Sequence, residues 1–133
     1  MMNIEKLSPG LAHTSVMTVA QQHTAAAIGS GDMQVLSTPI MMALMENAAM
    51  LAVDQHLTEE QTTVGAYIEA SHLRPSPVGA EIVATAQLTS VDGRKLTFRV
   101  VAMQGDTVIG EGTHVRYIVD RARFLDAVGG APE

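Results

Sequence analysis

The sequence predicts an α+β fold in which an antiparallel sheet of about five or six strands curls around one long central helix. Three observations predict this fold. An apolar segment in the first half has helical periodicity and a start signal, the second half changes to an alternating period, and glycine-containing turns separate the alternating runs. With 133 residues, of which 47% are hydrophobic, the chain is long enough for one domain with its own core.

The first strand is predicted over residues 11–20, a segment that is rich in valine and threonine. Residues 21–34 connect this strand to the helix. They contain a Gly-Ser-Gly-Asp sequence at 29–32 and leave room for a short helical turn.

The long helix is predicted to begin at Thr38 and to end at about His56. Thr38 is a good N-cap because its hydroxyl accepts a hydrogen bond from a free backbone N–H, and Pro39 suits the first helical position. Apolar residues cover more than half of the circumference, so we expect the sheet to wrap the helix. These residues are Ile40, Met41, Leu44, Met45, Ala48, Ala49, Leu51 and Ala52.

Four further strands follow the helix. They are predicted over residues 63–73, 81–91, 94–103 and 107–119. Asp-Gly at 92–93 and Gln-Gly-Asp at 104–106 predict hairpins between the last three strands. Pro-Ser-Pro-Val-Gly at 75–79 predicts a loop between the first of the four strands and the second. Alternation places apolar residues on the inner faces of the two central strands. These residues are Ile82, Ala84, Ala86 and Leu88, then Leu96, Phe98, Val100 and Ala102.

Composition narrows the function classes. We expect one domain over residues 1–133, with about residues 1–8 and 127–133 flexible.

The absence of cysteine excludes disulfides, thiol nucleophiles and cysteine-ligated metal, and no two histidines have a metal-ligand spacing. A net charge of −6 argues against a nucleic-acid partner, and no apolar run approaches the length of a membrane span. We therefore expect a soluble cytoplasmic protein that binds neither a metal, nor nucleic acid, nor a membrane.

Glu46 requires an explanation because it places a carboxylate among the methionines and alanines of the helix. A charge in apolar surroundings must be solvated, paired or used. Glu46 therefore reaches solvent, pairs with an arginine, or acts as an acid or base. Thr38 is eight residues earlier, which separates the two side chains by roughly 12 Å along the axis and about 80° around it. A site that joins them needs two chains, or a ligand between them.

The strands carry the other candidates. His72 is predicted at a strand end, on the face that carries Ile68, where an imidazole is structural, solvated or functional. His114 and Arg116 share one face of the last strand and form a second polar pair of uncertain purpose. The chain contains no Gly-x-Ser-x-Gly elbow, phosphate loop or dinucleotide fingerprint.

Several segments together resemble the fluoroacetyl-CoA thioesterase-like family of hotdog-fold proteins, over nearly the whole chain. The segments are residues 35–39, 46–49, 63–65, 71–79 and 114–116, with residues 120–124 after them. In that family a threonine at the helix cap, a glutamate within the helix and a histidine on the following strand form the catalytic set, which falls here on Thr38, Glu46 and His72. A strand glycine whose N–H holds the thioester carbonyl falls on Gly65, and an arginine of the last strand falls on Arg116.

The resemblance implies an acyl-CoA thioesterase, which hydrolyses a short or medium acyl-CoA thioester to an acid and free CoA. Glu46 would be the base or nucleophile, assisted by Thr38 and His72. No cofactor is implied beyond the CoA of the substrate, and the hotdog fold implies a homodimer, or a dimer of dimers, with a shared site.

The chain departs from the name-giving member of the family in one respect. That enzyme has an aromatic lid between the first strand and the helix, whereas residues 20–34 contain no Phe, Tyr or Trp. We therefore do not expect fluoroacetyl-CoA as the substrate, and a methionine-rich lining suits an aliphatic acyl group better.

Two other functions remain open. The same fold supports acyl-CoA hydratases and dehydratases, in which a histidine and an acidic residue transfer protons at the acyl chain. It also supports a non-catalytic acyl-CoA-binding module that retains the pocket. Release of free thiol, without a new double bond or hydroxyl, distinguishes the thioesterase from both.

Overall fold

The computed structural model describes residues 7–129 and has the predicted α+β architecture, a curled antiparallel sheet around a central helix. The strands are β1 (Ala12–Thr18), β2 (Gln61–His72), β3 (Glu81–Asp92), β4 (Lys95–Gln104) and β5 (Thr107–Asp120). The helices are α1 (Ala25–Ile28), α2 (Thr38–Asp54) and α3 (Arg121–Ala127), with a 3₁₀ turn at Gln21–His23. Within the described residues the sheet has the order β1-β3-β4-β5-β2, so β1 and β2 form its two edges.

Both predicted hairpins are present, between β3 and β4 and between β4 and β5. Their turns contain Gly93 with φ 61° and Gly105 with φ 58°, a left-handed conformation that favours glycine. These turns fix the register of the three-strand meander. The inward residues predicted for β3 and β4 are therefore all buried.

The N-cap of α2 differs from the prediction. Ser37, not Thr38, has extended backbone and accepts a hydrogen bond from the Ile40 N–H at 3.3 Å. Thr38 is the first helical residue, and Pro39 follows it in the first turn. Replacement of such a capping serine by alanine typically costs about 1 kcal/mol. Because Ser37 caps the helix, the hydroxyl of Thr38 is free for another contact.

The sheet covers one side of α2 and leaves the other side open. The buried helix residues are Met41, Met45, Ala48, Ala49, Ala52 and Val53. Ala43, Asn47 and Leu51 are exposed on the opposite side. The sheet thus curls around the helix as predicted, and its five strands close around only part of the circumference. Ala43 and Asn47 of the exposed side line a cavity with Gly65 of the edge strand β2. Asn47 also accepts a hydrogen bond from Ser15 of the other edge strand, β1, at 2.7 Å.

The pairing of β2 with β5 contains one irregularity and one point of close backbone approach. The register shifts between Gly65 and Tyr67, so Ala66 is the extra residue of a β-bulge. Further along, a Cβ on Gly112 would overlap the carbonyl oxygen of Glu69. Glycine at this position lets the two strands approach each other.

The flexibility predicted for residues 1–8 and 127–133 falls mostly outside the described residues. Leu7, at the start of the described range, is buried in the core. Over residues 7–129, no helix is long and apolar enough to cross a membrane. The same residues contain no group of three or more side chains arranged to hold a metal ion.

Candidate active site

The first cluster of predicted site residues joins the start of α2 to the end of β2. Thr38 Oγ1 lies 2.7 Å from His72 Nδ1, a hydrogen bond that the free hydroxyl of Thr38 makes possible. Burial lowers the pKa of His72, and a hydrogen bond with the backbone of Arg74 opposes this change. Because the ordinary pKa is already below 7, the imidazole is mostly neutral at pH 7. It is therefore able to accept a proton.

A cavity of about 310 Å³ opens beside this pair. Its lining residues are Ala25, Ser30, Val35, Leu36, Ser37, Thr38, His72, Leu73, Arg74 and Pro75. The lining contains small and aliphatic side chains and no aromatic ring other than the imidazole. Arg74 is exposed and forms no ion pair with any residue of the described range. The cavity thus combines an apolar wall with one available cation.

The second cluster lies at the middle of α2, beside the bulge of β2. A Cβ on Gly65 would stand 3.0 Å from Glu46 Oε2, 3.4 Å from His114 Cε1 and 3.5 Å from Arg116 Nη1. The missing side chain of Gly65 therefore leaves a space bounded by a carboxylate, an imidazole and a guanidinium. A cavity of about 360 Å³ opens here. It is lined by Ala43, Glu46, Asn47, Met50, Gly65 and Arg116.

Arg116 is held firmly at this second cavity. Its Nε donates to Thr63 Oγ1 at 2.8 Å, and its Nη2 donates to the Thr63 carbonyl oxygen at 2.9 Å. Burial lowers the pKa of Arg116, and the charge of Glu46 opposes this change. An arginine nevertheless stays charged at neutral pH. Within the described residues, no carboxylate lies within 4.0 Å of the guanidinium, so the cation remains available to a ligand in the cavity.

The contacts of His114 at this site were not predicted from the sequence. The residue is fully buried, with Nδ1 2.8 Å from the Tyr67 carbonyl oxygen and Nε2 3.2 Å from Arg116 Nη1. Alternation along β5 placed His114 next to Arg116. The contact with Tyr67 depends on the β-bulge of β2, and the sequence contains no clear signal for a bulge beyond the glycine at 65.

The predicted site residues therefore fall into two clusters. The structure brings Thr38 to His72, and it brings Glu46 to Gly65 and Arg116. The linings of the two cavities have no residue in common. As the helical spacing predicts, Thr38 and Glu46 do not meet within one chain.

The sheet, the central helix and the polar residues that α2 and β2 bring together define a hotdog-fold protein of the thioesterase class. A family model described as fluoroacetyl-CoA-specific thioesterase matches residues 19–122. The chain therefore belongs to this family of thioester hydrolases. The fluoroacetyl-CoA thioesterase of Streptantibioticus cattleyicolor is 36% identical over 91 residues, a match that spans 68% of this chain and 66% of that protein.

Solved structures agree with this assignment. A structure of the fluoroacetyl-CoA thioesterase superimposes with a TM-score of 0.87 and 28% identity, over 96% of this chain and 98% of that chain. A variant of that enzyme in complex with fluoroacetate and CoA matches with a TM-score of 0.84 and 30% identity, over 89% and 99%. A thioesterase superfamily member from Thermus thermophilus has a TM-score of 0.85 at 23% identity, over 92% and 90%, and shows the shared fold alone.

Proposed function

We propose that the protein is an acyl-CoA thioesterase that hydrolyses a short or medium acyl-CoA to an acid and free CoA. The main support is the space at Gly65, where a carboxylate oxygen of Glu46 and Nη1 of Arg116 lie within 3.5 Å of one point. A thioester carbonyl at this point meets a base or nucleophile on one side and hydrogen-bond donors on the other.

In the proposed reaction Glu46 either activates a water molecule or attacks the carbonyl carbon itself. The new C–O bond forms as the carbonyl electrons move to oxygen, where the Gly65 N–H and Arg116 stabilise the negative charge. Collapse of this intermediate breaks the C–S bond and releases the CoA thiolate, which takes up the proton that water loses. In the covalent route, water then hydrolyses the anhydride formed on Glu46.

We further propose that Thr38 and His72 orient and polarise the thioester from a second subunit. Within one chain, Thr38 lies roughly 12 Å along the helix from Glu46. The edge of β2 is unpaired in the single chain, and Ala43 and Asn47 on the exposed side of α2 line a cavity with Gly65 of this strand. A two-fold homodimer through this face covers both features. It then joins the Thr38 cluster of each chain to the Glu46 cluster of its partner, and pairing of dimers into tetramers is compatible with it.

The substrate we propose carries an aliphatic acyl group and not a fluoroacetyl group. The connection before α2 contributes Ala25, Ser30 and Val35 to the cavity beside His72. These small side chains leave room where an aromatic lid would fill it. Arg74, which is exposed at the same cavity, is available to the phosphates of CoA.

The test of this function is a panel of acyl-CoA esters assayed for free thiol. The wild-type protein should release CoA from aliphatic esters, and Glu46→Gln should lower kcat by roughly 10²- to 10⁴-fold. Glu81→Gln, which changes an exposed glutamate at the start of β3, is the matched control and should keep wild-type kcat.

Three results would contradict the proposal. Full activity of Glu46→Gln would remove the mechanism. Tight binding of CoA without turnover would identify a binding module. A new double bond or hydroxyl on the acyl chain, without free thiol, would identify a dehydratase or hydratase.

A further inference from the structure

We propose that His114 is a positioning residue that holds Arg116 for catalysis by presenting a neutral imidazole in one fixed tautomer. The proposal rests on the proposed thioesterase function of the Glu46 cluster. In the proposed role, His114 acts through Arg116 and does not touch the substrate, so it is not itself a catalytic residue.

The two hydrogen bonds of His114 determine its tautomer. The Tyr67 carbonyl oxygen only accepts hydrogen bonds, so Nδ1, 2.8 Å away, must carry a hydrogen and donate. Arg116 Nη1 only donates, so Nε2, 3.2 Å away, must have a free lone pair and accept. A protonated His114 would direct an N–H at the N–H of a guanidinium. Both contacts are therefore compatible only with the neutral Nδ1–H form.

The surroundings of His114 maintain the neutral form. The imidazole is fully buried, and the ring of Phe98 on β4 lies 6.1 Å from it, centroid to centroid. The charged groups near it are Arg116 on its own strand and Glu46 from α2. Burial lowers the pKa of His114 most, the Tyr67 carbonyl opposes this, Arg116 lowers the pKa further and Glu46 raises it. The result is a pKa below the ordinary value.

His114 contacts the functional end of Arg116. Thr63 holds Nε and Nη2, whereas His114 accepts from Nη1. Nη1 is also the guanidinium atom that lies 3.5 Å from the space beside Gly65. The bond to His114 therefore fixes the atom of Arg116 that faces the proposed position of the thioester carbonyl.

Two variants separate the two hydrogen bonds. His114→Gln places an amide oxygen near the position of Nε2 and keeps an acceptor for Arg116. His114→Asn places an amide N–H near the position of Nδ1 and keeps the donor to Tyr67. If His114 positions Arg116, His114→Gln should retain most of kcat, whereas His114→Asn should lose roughly tenfold to hundredfold, with KM little changed in both. His13→Gln, which changes an exposed histidine of β1, is the control.

A purely structural role predicts the opposite order. In that case the bond to the bulge of β2 matters most, so His114→Asn would be the more active and the more thermally stable variant. Full kcat in His114→Asn, in an enzyme that is otherwise active, would overturn the role of His114. The absence of any acyl-CoA hydrolysis by the wild-type protein would instead overturn the proposed function.

NMR of the ¹⁵N-labelled imidazole tests the tautomer without an activity assay. His114 should show a hydrogen on Nδ1 and a free lone pair on Nε2 at neutral pH. Arg116→Gln should raise the pKa of His114, because it removes the neighbouring positive charge. An Nε2–H tautomer, or a protonated ring at neutral pH, would overturn the proposal.

Discussion

The two clusters of site residues differ in how firmly they are held. At the start of α2, Thr38 and His72 are joined by one hydrogen bond beside a cavity open to solvent. At the middle of α2, buried hydrogen bonds link Arg116 to Thr63 and His114. The first cluster supplies a hydroxyl and a titratable imidazole, and the second supplies a carboxylate and a fixed cation. The first cluster has no carboxylate, and the imidazole of the second, His114, is buried and bonded to Tyr67 and Arg116. A site made from both clusters therefore combines a carboxylate with an imidazole that faces an open cavity.

The difference follows from the strand positions that the two clusters use. His72 is the last residue of β2, where the strand leaves the sheet. Gly65 lies inside β2 next to the bulge, where it pairs with Arg116 of β5. Groups that stabilise developing charge must be fixed before the reaction, since reorientation during the step would cost part of the stabilisation.

Mixing two inactive variants tests whether the clusters combine across a dimer. Glu46→Gln and His72→Ala should each lose roughly 10²-fold or more in kcat. In a one-to-one mixture after subunit exchange, half of the dimers are mixed, and each mixed dimer has one site with both clusters intact. Activity should therefore return to about a quarter of the wild-type value. The measurement is thiol release before and after coexpression or joint refolding of the two chains.

The control for this experiment is a mixture of each variant with itself, which should stay inactive. If the mixed sample also stays inactive while mixed dimers are detected by mass, the two clusters do not combine between chains. In that case the two clusters would be two independent sites.

Two glycines of the joined β2 and β5 strands should respond differently to alanine. Gly65→Ala places a Cβ 3.0 Å from the flexible end of Glu46, where the carboxylate can yield. We expect kcat to fall by roughly tenfold or more with little change in melting temperature, because the reacting position is filled. Gly112→Ala places a Cβ against the Glu69 backbone, and this overpacking should cost about 3 kcal/mol of stability or more.

Thermal melting and thiol release of both alanine variants check this prediction. Val119→Ala, near the end of β5 and away from both cavities, serves as a further control for general weakening of the pair of strands. Loss of stability in Gly65→Ala comparable to that in Gly112→Ala would show that Gly65 is needed for strand packing and not for the site.

The sequence was sufficient for the elements of the fold because the local signals were strong and agreed with one another. The strand periods and the turns at Gly93 and Gly105 located β3, β4 and β5 within two residues. The position of β2 next to β5 was not predicted, because it depends on long-range pairing. The N-cap was placed one residue late because Ser37 and Thr38 are both good caps, and only the contact of Thr38 with His72 distinguishes them.

The candidate site was predictable in part for the same physical reasons. Helical spacing alone separated Thr38 from Glu46, and the structure confirms this separation. The space at Gly65 and the tautomer of His114 depend on the bulge at Ala66, which turns the Tyr67 carbonyl toward β5. A bulge results from the balance of pairing along two whole strands, so no short motif predicted it.

The smallest expected effect is the pH dependence that the histidines of the two clusters contribute to stability. Burial lowers the pKa of both His72 and His114. An unfolded histidine titrates near its ordinary pKa of about 6.5, so below this pH the unfolded chain binds more protons and stability falls as the pH falls toward the folded pKa. His114→Gln cannot titrate, so its melting temperature should fall less than that of the wild type between about pH 7.5 and pH 5.5. His72→Gln should show a weaker effect of the same sign, because His72 is only half-buried.

Melting curves between about pH 7.5 and pH 5.5 check this prediction. The melting temperature should fall most in the wild type, less in His72→Gln and least in His114→Gln, since the carboxylates contribute equally to all three proteins. If the melting temperatures of His114→Gln and of the wild type fell equally over this range, His114 would not be held neutral in the folded protein.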